Sequence, residues 1–335
     1  SMLSSIPAHP GNKSGVKSGP QAAQQPVLHV LHLLEATLGG TRQYLQNIAQ
    51  AGAELPLRMS LVYSDLRADE PFRGVLEQLE RSGWQTYRIE MERALRPWQD
   101  LRAACKLRTL LRRLQPDILH CHSSKAGGVG RLAAALISER PYVVYSPHAL
   151  AANRSRFYLL IERALAPLTQ RFVAISESEK SEIVSFGLAG RDTVKVVYPI
   201  GDRHVYAAPD RDLARQALGL GSEPLVVGVG RLVEQKDPLL FIRCIELARR
   251  VIPDLRAIWV GDGELRPLLE SEIGQRELTE TIRLAGWQND VRPFIAAADL
   301  VLSTARFESF GYAVAEALAM ERPVVATRIT GTLDV

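Results

Sequence analysis

Short apolar runs recur along the chain and alternate with longer stretches of helical periodicity. Residues 27–34 (VLHVLHLL), 58–64 (RMSLVYS), 117–122 (DILHCH), 142–147 (YVVYSP), 171–176 (RFVAIS) and 194–199 (VKVVYP) are apolar over half or more of their length. Strands covered on both faces of a parallel sheet carry that pattern, whereas half-exposed strands alternate apolar and polar positions. Between them, amphipathic segments such as 98–114 and 156–170 predict helices. The pattern restarts with 224–230 (PLVVGVG), 256–263 (RAIWVGDG), 282–286 (IRLAG), 299–304 (DLVLST) and 323–328 (PVVATR). Strands that alternate with helices predict βαβ units. Residues 203–222, with Pro209, Asp210, Gly219 and Gly221, interrupt the two sets and read as a linker. The predicted fold class is therefore α/β: two doubly wound, Rossmann-like domains, residues 27–202 and 223–335, facing each other across a cleft. Residues 1–26 lack an apolar signal-peptide core and read as a disordered leader. Residues 331–335 (GTLDV) stop soon after the last predicted strand, so the second domain reads as incomplete and the chain as truncated.

Composition narrows the class. At 335 residues the chain exceeds one typical core, in keeping with two domains. Apolar content of 46% and charged content of 23% are those of a soluble globular protein, and no apolar run is long enough to span a bilayer. Cys105, Cys121 and Cys244 have no paired spacing, which argues against a disulfide framework or a zinc site and fits a reducing, cytoplasmic compartment. The net charge of +4 divides into +8 over residues 1–200 and −4 over residues 201–335. The basic excess is densest from Arg88 to Arg113. It reads either as a solvated helix face or as a surface that rests on anionic lipid, each nearby basic residue contributing roughly 1 kcal/mol. No aromatic residues interleave with these cations as a stacking platform would require, so nucleic acid is not an expected partner.

The stretch FESFGYAVAE, residues 307–316, carries the sharpest chemical signal. Glu308 precedes a Ser-Phe-Gly turn, and Glu316 sits among Ala313, Val314, Ala315, Ala317 and Leu318. A carboxylate in such company is costly to bury unless something hydrogen-bonds it. In open α/β sheets ligands bind at the carboxyl ends of strands, beside helix N-termini. The amides of Phe310, Gly311 and Tyr312 are expected to be unpaired there and to face a diphosphate, with Glu316 accepting from ribose hydroxyls. The structural alternative is that Glu308 caps the helix and Glu316 pairs with an arginine. A second strand end, GVGRLVEQKDP (228–238), lacks the third glycine of a dinucleotide fingerprint but places Arg231 and Lys236 where a departing pyrophosphate needs cations. A third, LLEATLGGTRQYL (33–45), has Gly39 and Gly40, which allow close backbone approach to a ligand.

These motifs carry a resemblance. GRLVEQKDP, WVGDGELR (259–266), LAGWQNDV (284–291) and FESFGYAVAEALA (307–319) closely resemble the donor-binding half of retaining family-4 glycosyltransferases, which are metal-independent enzymes of GT-B architecture. HVLHLLEATLGGTRQYLQNIA resembles the family's N-terminal glycine loop, and DILHCHSSKAGGVGRLAA with VYSPHAL looks like the subgroup that builds bacterial surface polysaccharides on lipid carriers. The resemblance implies that residues 27–202 bind the acceptor and residues 223–335 bind the donor. It also implies that Arg231 and Lys236 hold the donor diphosphate with the amides of Phe310 and Gly311. Glu316 would bind the ribose and Glu308 the transferred sugar, with Gly261 and Ser309 also lining the donor site. Gly39 and Gly40 would let the first domain close on the phosphates, and His148 would stand at the reacting centre. Two departures stand out: YPIGD (198–202) replaces the usual linker entry, and ITG (329–331) replaces a glycine pair.

The implied reaction moves a hexosyl or N-acetylhexosaminyl group from a nucleotide-sugar, most commonly a UDP-sugar, to a lipid-linked saccharide at the inner face of the membrane. No cofactor and no metal are expected. His122, Ser123 and Lys125 are the candidate acceptor residues: His122 either orients Ser123, faces the cleft or is a satisfied core histidine, and Lys125 meets acceptor phosphates. Asp210-Arg211-Asp212 mimics a metal-binding acidic pair but reads as solvated loop. Two other readings remain open at this stage: a sugar-nucleotide epimerase of the same architecture, and a non-catalytic nucleotide-sugar-binding protein.

Overall fold

The computed structural model describes residues 27–37, 40–68, 70–150, 155–199 and 207–335. The predicted leader and the segment 200–206 at the domain junction lie outside the described residues. In the first half, strands β1 (Leu28–Leu34), β2 (Leu57–Tyr63), β3 (Gln85–Arg88), β4 (Ile118–His122), β5 (Tyr142–Ser146), β6 (Arg171–Ala174) and β7 (Val194–Val196) form one parallel sheet in the order β3-β2-β1-β4-β5-β6-β7. The connecting helices are α1 (Gly40–Gly52), α2 (Glu70–Arg81), α3 (Pro97–Leu114), α4 (Ser124–Ala135), α5 (Arg156–Leu165) and α6 (Glu177–Ser185). In the second half, β8 (Leu225–Val229), β9 (Arg256–Val260), β10 (Ile282–Gly286), β11 (Leu300–Ser303) and β12 (Val324–Ala326) pair in the order β10-β9-β8-β11-β12. Helices α7 (Arg211–Ala217), α8 (Pro238–Arg249), α9 (Arg266–Gln275), α10 (Arg292–Ala297), α11 (Tyr312–Ala319) and α12 (Thr330–Leu333) accompany it. Both sheets are the doubly wound, Rossmann-like kind that the strand runs predict. In each, the chain order reverses at the first strand, and a crevice opens there at the carboxyl ends.

Local chemistry sets the helices. Pro97 opens α3, where its fixed φ suits the first turn. Ala103, Ala104, Leu107, Leu110 and Leu111 then recur at helical spacing on its buried side. Ser155 and Ser176 cap α5 and α6 by accepting from Tyr158 N and Glu179 N. One core of the first domain lies between its sheet and α3 to α6, built on Leu31, Leu33, Leu119, Val143 and Phe172. A second, around Leu34, Leu61 and Phe72, lies under α1 and α2.

Two expectations need correction. Residues 203–222 are not simply a linker, since 211–217 form α7, which packs against α10 and buries Ala214 in the second core. Arg215, buried, donates to Gly221 O, Ala297 O and Glu223 O, which ties α7 to the second domain. The acidic triplet accordingly opens a helix rather than lying in a loop, although Asp210 and Asp212 are exposed to solvent as expected. Asp210 accepts from Leu213 N at 3.0 Å as the helix cap, and Arg211 pairs with Asp299. The edge strand β3 is absent from the predicted set, because its exposed ends (Gln85 and Arg88) leave no apolar run to find.

Candidate functional site

A cleft of about 1540 Å³ runs between the two sheets, lined from the first domain by Gly40, Arg42, Ser123, Lys125 and His148 and from the second by Arg231, Lys236, Gly261, Glu308 and Glu316. Contacts cross it. Tyr312 Oη donates to Gly40 O at 3.0 Å, and a Cβ on Gly40 would stand 2.6 Å from the Tyr312 ring, so this approach requires glycine. Arg42 lies over the Trp287 ring at 5.4 Å. Tyr44, Ile175, Phe310 and Ala315 form a small apolar contact between the domains. Gly39, the other half of the glycine pair, lies outside the described residues.

On the second-domain wall, the loops after β8 and β11 are zipped together. Arg306 N donates to Gln235 O, Gln235 Nε2 to Phe307 O, and Thr304 Oγ1 to both Lys236 O and Asp237 O. Arg306 also pairs with Asp237 and Glu234. That clamp carries Lys236 against Glu308: the two form an ion pair whose side chains are 21% and 5% exposed. The Arg231 side chain is exposed at the cleft wall and makes no hydrogen bond or ion pair with the described residues. Gly261, at φ +135°, packs so tightly on Gly230 that a Cβ would stand 2.0 Å from Gly230 O. It therefore serves the close approach of β9 to the loop after β8. Ser309 and Phe310 line the same wall.

The electrostatics are those of a desolvated charged cluster. Burial, with the Arg231 guanidinium adding to it, draws the Lys236 pKa down to about 8, and Glu316 opposes the shift. Burial raises the Glu316 pKa to about 7, against the attraction of Lys236 and with Asp290 adding to the rise. Glu308 thus spends its charge on Lys236 and not on a helix cap, and Glu316 faces Lys236, not an arginine. The helix amides depart from expectation. Gly311 N donates to Gly331 O at 2.9 Å and Tyr312 N to Phe310 O at 3.1 Å, so two of the three amides assigned to a diphosphate already have partners. The reason is α12, which folds back over the turn and sets Gly331 against it.

On the first-domain wall, β4 and β5 end at strained backbone. Ser123, His148 and Ala149 have φ of 84°, 53° and 102°, and strain of this kind collects at functional sites. The buried Glu179 carboxylate pins that turn, accepting from Ala149 N and Ile175 N at 2.9 Å each. Burial lifts its pKa to about 7, against those two amides. His148 lines the cleft, with the Tyr44 ring edge-on at 4.7 Å. Burial lowers its pKa to about 4, so it is neutral at pH 7.

His122 neither faces the cleft nor orients Ser123. It is 1% exposed, is hydrogen-bonded to His32 and His148, and the Ser123 Oγ beside it is a buried atom without a partner. Lys125 also departs from its expected role: its Nζ lies 2.7 Å from both Asp100 carboxylate oxygens and from Ala94 O, although the residue does line the cleft. Ring nitrogens of His32, His120 and His122 lie within 4.8 Å of one another, a spacing that a metal ion could use. His32 and His122, however, turn nitrogens to each other, and His120 Nε2 turns to Ser146 Oγ at 2.8 Å. Residues missed in the sequence include Arg42, Tyr44, Glu179 and Trp287, and, for Tyr312, the ring, since only its amide was expected to matter. Only Trp287, an aromatic just past a strand end, left a readable signal.

A cleft between two Rossmann-like sheets, with cations and carboxylates at the strand ends, is the frame of a GT-B glycosyltransferase. The chain belongs to that family. Residues 223–335 match the family model described as "Glycosyl transferases group 1", and residues 39–199 match "Glycosyl transferase 4-like domain". Among curated proteins it is similar to the UDP-Gal:alpha-D-GlcNAc-diphosphoundecaprenol alpha-1,3-galactosyltransferase of Escherichia coli, 30% identical over 247 residues, 70% of this chain and 63% of that protein. It is also similar to the lipopolysaccharide core biosynthesis glycosyltransferase LpsE of Rhizobium meliloti, 37% identical over 108 residues, 32% of this chain and 31% of that protein. The chain thus spans less than two thirds of the length of either relative. Among solved structures, HepE of Anabaena in complex with UDP superposes with a TM-score of 0.75 at 24% identity, over 91% of this chain and 82% of that one. WaaG, a glycosyltransferase involved in lipopolysaccharide biosynthesis, does so with a TM-score of 0.69 at 17% identity, over 91% and 82%.

Proposed function

We propose that the chain is a metal-independent, retaining glycosyltransferase that moves a hexosyl or N-acetylhexosaminyl group from a UDP-sugar to a lipid-linked saccharide at the cytoplasmic face of a membrane. The observation that carries this reading is the cleft cluster in which Lys236 lies against Glu308 and Glu316 with Arg231 beside it. Two cations of different geometry suit a diphosphate, Arg231 as a fork and Lys236 as a point charge. Glu316 then accepts from the ribose, Glu308 from the transferred sugar, and His148 meets the sugar from the opposite wall. The acceptor hydroxyl attacks the anomeric carbon from the face the diphosphate leaves. The new C–O bond forms as the old one breaks, and the proton passes to the departing phosphate oxygen. Arg231 and Lys236 stabilise the charge on that leaving group, which is the kind of term that dominates catalysis.

The lipid side rests on a different face. Trp98 is 80% exposed at the start of α3, with Leu101 beside it, and Phe157 and Leu160 are exposed on α5. Arg102, Lys106 and Arg112 on α3 are exposed and make no ion pair with the described residues. Aromatic and basic groups in such company suit a peripheral seat at an anionic interface. No described helix is long and apolar enough to cross a membrane. The test is incubation with a panel of nucleotide-sugars, with and without a diphosphoprenyl-linked saccharide. The proposal expects sugar transfer only when the acceptor is present. Epimer or free sugar in its absence, or binding without turnover under every condition, would defeat it.

A further inference from the structure

Three histidines beneath the cleft form one hydrogen-bonded line. His32 Nδ1 lies 3.0 Å from His122 Nε2, and His122 Nδ1 lies 3.3 Å from His148 Nε2. The ring centroids are 5.3 and 5.6 Å apart, with interplanar angles of 22° and 25°. Each centroid separation exceeds its nitrogen-to-nitrogen distance by about 2.3 Å. Two ring radii account for that excess when the contacts run within the ring planes, as hydrogen bonds between imidazoles require.

Every link joins the Nδ1 of one ring to the Nε2 of the next. A neutral imidazole has one N–H and one lone pair. Burial holds all three rings neutral at pH 7, since each has its pKa pushed far down. The line therefore has two consistent settings: every ring protonated at Nδ1, or every ring at Nε2. The far end decides between them. His32 Nε2 is buried without a hydrogen-bond partner, and a stranded N–H is rarer in proteins than an under-used acceptor. His32 Nε2 is then bare, His32 donates to His122, and His122 donates to His148 Nε2. Because the line ends in the core, it fixes a tautomer and does not conduct protons. His120, with its ring 4.0 Å from His122 and its Nε2 on Ser146, restricts the middle ring. Glu179 fixes the backbone just after His148 through Ala149 N.

We propose that His122 and His32 are positioning residues for the transfer reaction, holding His148 as the Nδ1–H tautomer so that it meets the cleft as a neutral hydrogen-bond donor. The ligand group is a sugar hydroxyl of the donor; this part rests on the glycosyltransferase reading. A neutral donor suits a sugar that becomes cation-like in the transition state, where an imidazolium would repel it.

The test begins with the wild-type chain labelled with 15N in its seven histidines. Two-bond proton–nitrogen spectra at pH 7.5 read each tautomer, and His148→Asn identifies the His148 signals. Nδ1–H on both His122 and His148 is expected; Nε2–H or an imidazolium at His148 overturns the proposal, and the tautomers themselves are read on the wild-type chain, the Asn variant serving only for assignment. His122→Leu is then expected to release His148 into a mixture of tautomers. It should lower kcat about tenfold, with donor KM and UDP affinity held within about twofold. His122→Asn keeps an amide near the Nδ1 position and should restore both the tautomer and most of the turnover. An unchanged His148 tautomer in the Leu variant also overturns the proposal. If the wild-type chain transfers no sugar at all, the glycosyltransferase reading fails and the spectrum still decides the line.

Discussion

Glu316→Gln is expected to move stability and nucleotide binding in opposite directions. Folding carries the Glu316 carboxyl into a site where burial raises its pKa from 4.5 to about 7. Between those values the folded state holds the proton and the unfolded state has lost it, so stability falls as pH rises through that window. At about 1.36 kcal/mol per pKa unit, the ionised glutamate costs about 3 kcal/mol above pH 7, an upper figure because Lys236 reorganises with it. Glutamine keeps the shape and removes that charge. The variant should therefore melt higher than the parent at pH 8 and melt alike at pH 5. Nucleoside diphosphate binding should go the other way, since the ribose hydroxyls lose a charged acceptor worth about 1.5–3 kcal/mol. In the parent, affinity should be best between about pH 7 and 8, where Glu316 is ionised while Lys236 still holds its proton. Thermal melts at the two pH values and calorimetry with UDP read both effects. A variant that is less stable at pH 8, or that binds UDP as the parent does, would refute the reasoning.

Lys236→Ala should weaken UDP binding and turnover together, by about 1.5–3 kcal/mol in binding, because the diphosphate is present in ground and transition states alike. Glu308→Gln should lower turnover without weakening UDP, since Glu308 and the diphosphate compete for the same ammonium; calorimetry beside initial rates separates the two variants. Activity is expected to survive excess EDTA, and loss that magnesium or manganese restores would count against cations as the metal's replacement. Binding to anionic vesicles should fall as salt rises, with screening over about 8 Å at physiological ionic strength, and should weaken further in Trp98→Ala. Equal binding to neutral and anionic vesicles would return the basic face of α3 to solvent.

The two parallel sheets were legible because strands buried on both faces leave largely apolar runs, as in Leu28–Leu34, broken only by His29 and His32, and Leu225–Val229. What was missed lacked that signal. Strand β3 has exposed ends, and α7 hides between Pro209 and Gly219, the punctuation that makes a segment read as linker. In the site, Arg231, Lys236 and Glu308 stood out as charges just past strand ends, and Glu316 as a carboxylate inside an apolar helix. The pairing of Lys236 with Glu308 did not, because it depends on two distant loops being zipped by Thr304 and Arg306. The histidine line depends on register: β1 pairs with β4 so that His32 lies opposite His120 and Leu34 opposite His122. No local pattern announces such a match. The amide of Gly311 was misjudged for a similar reason, since its partner Gly331 arrives on α12.

The central claim is a transfer that keeps the anomeric configuration of the nucleotide-sugar, and the most direct measurement is the proton NMR coupling of the anomeric centre in the purified product. The chain, given an α-linked UDP-sugar and a diphosphoprenyl-linked saccharide acceptor, should yield an α-glycoside. A β-glycoside would contradict front-face displacement in this cleft, and intact donor beside unmodified acceptor after long incubation with every sugar in the panel would contradict the transferase reading itself.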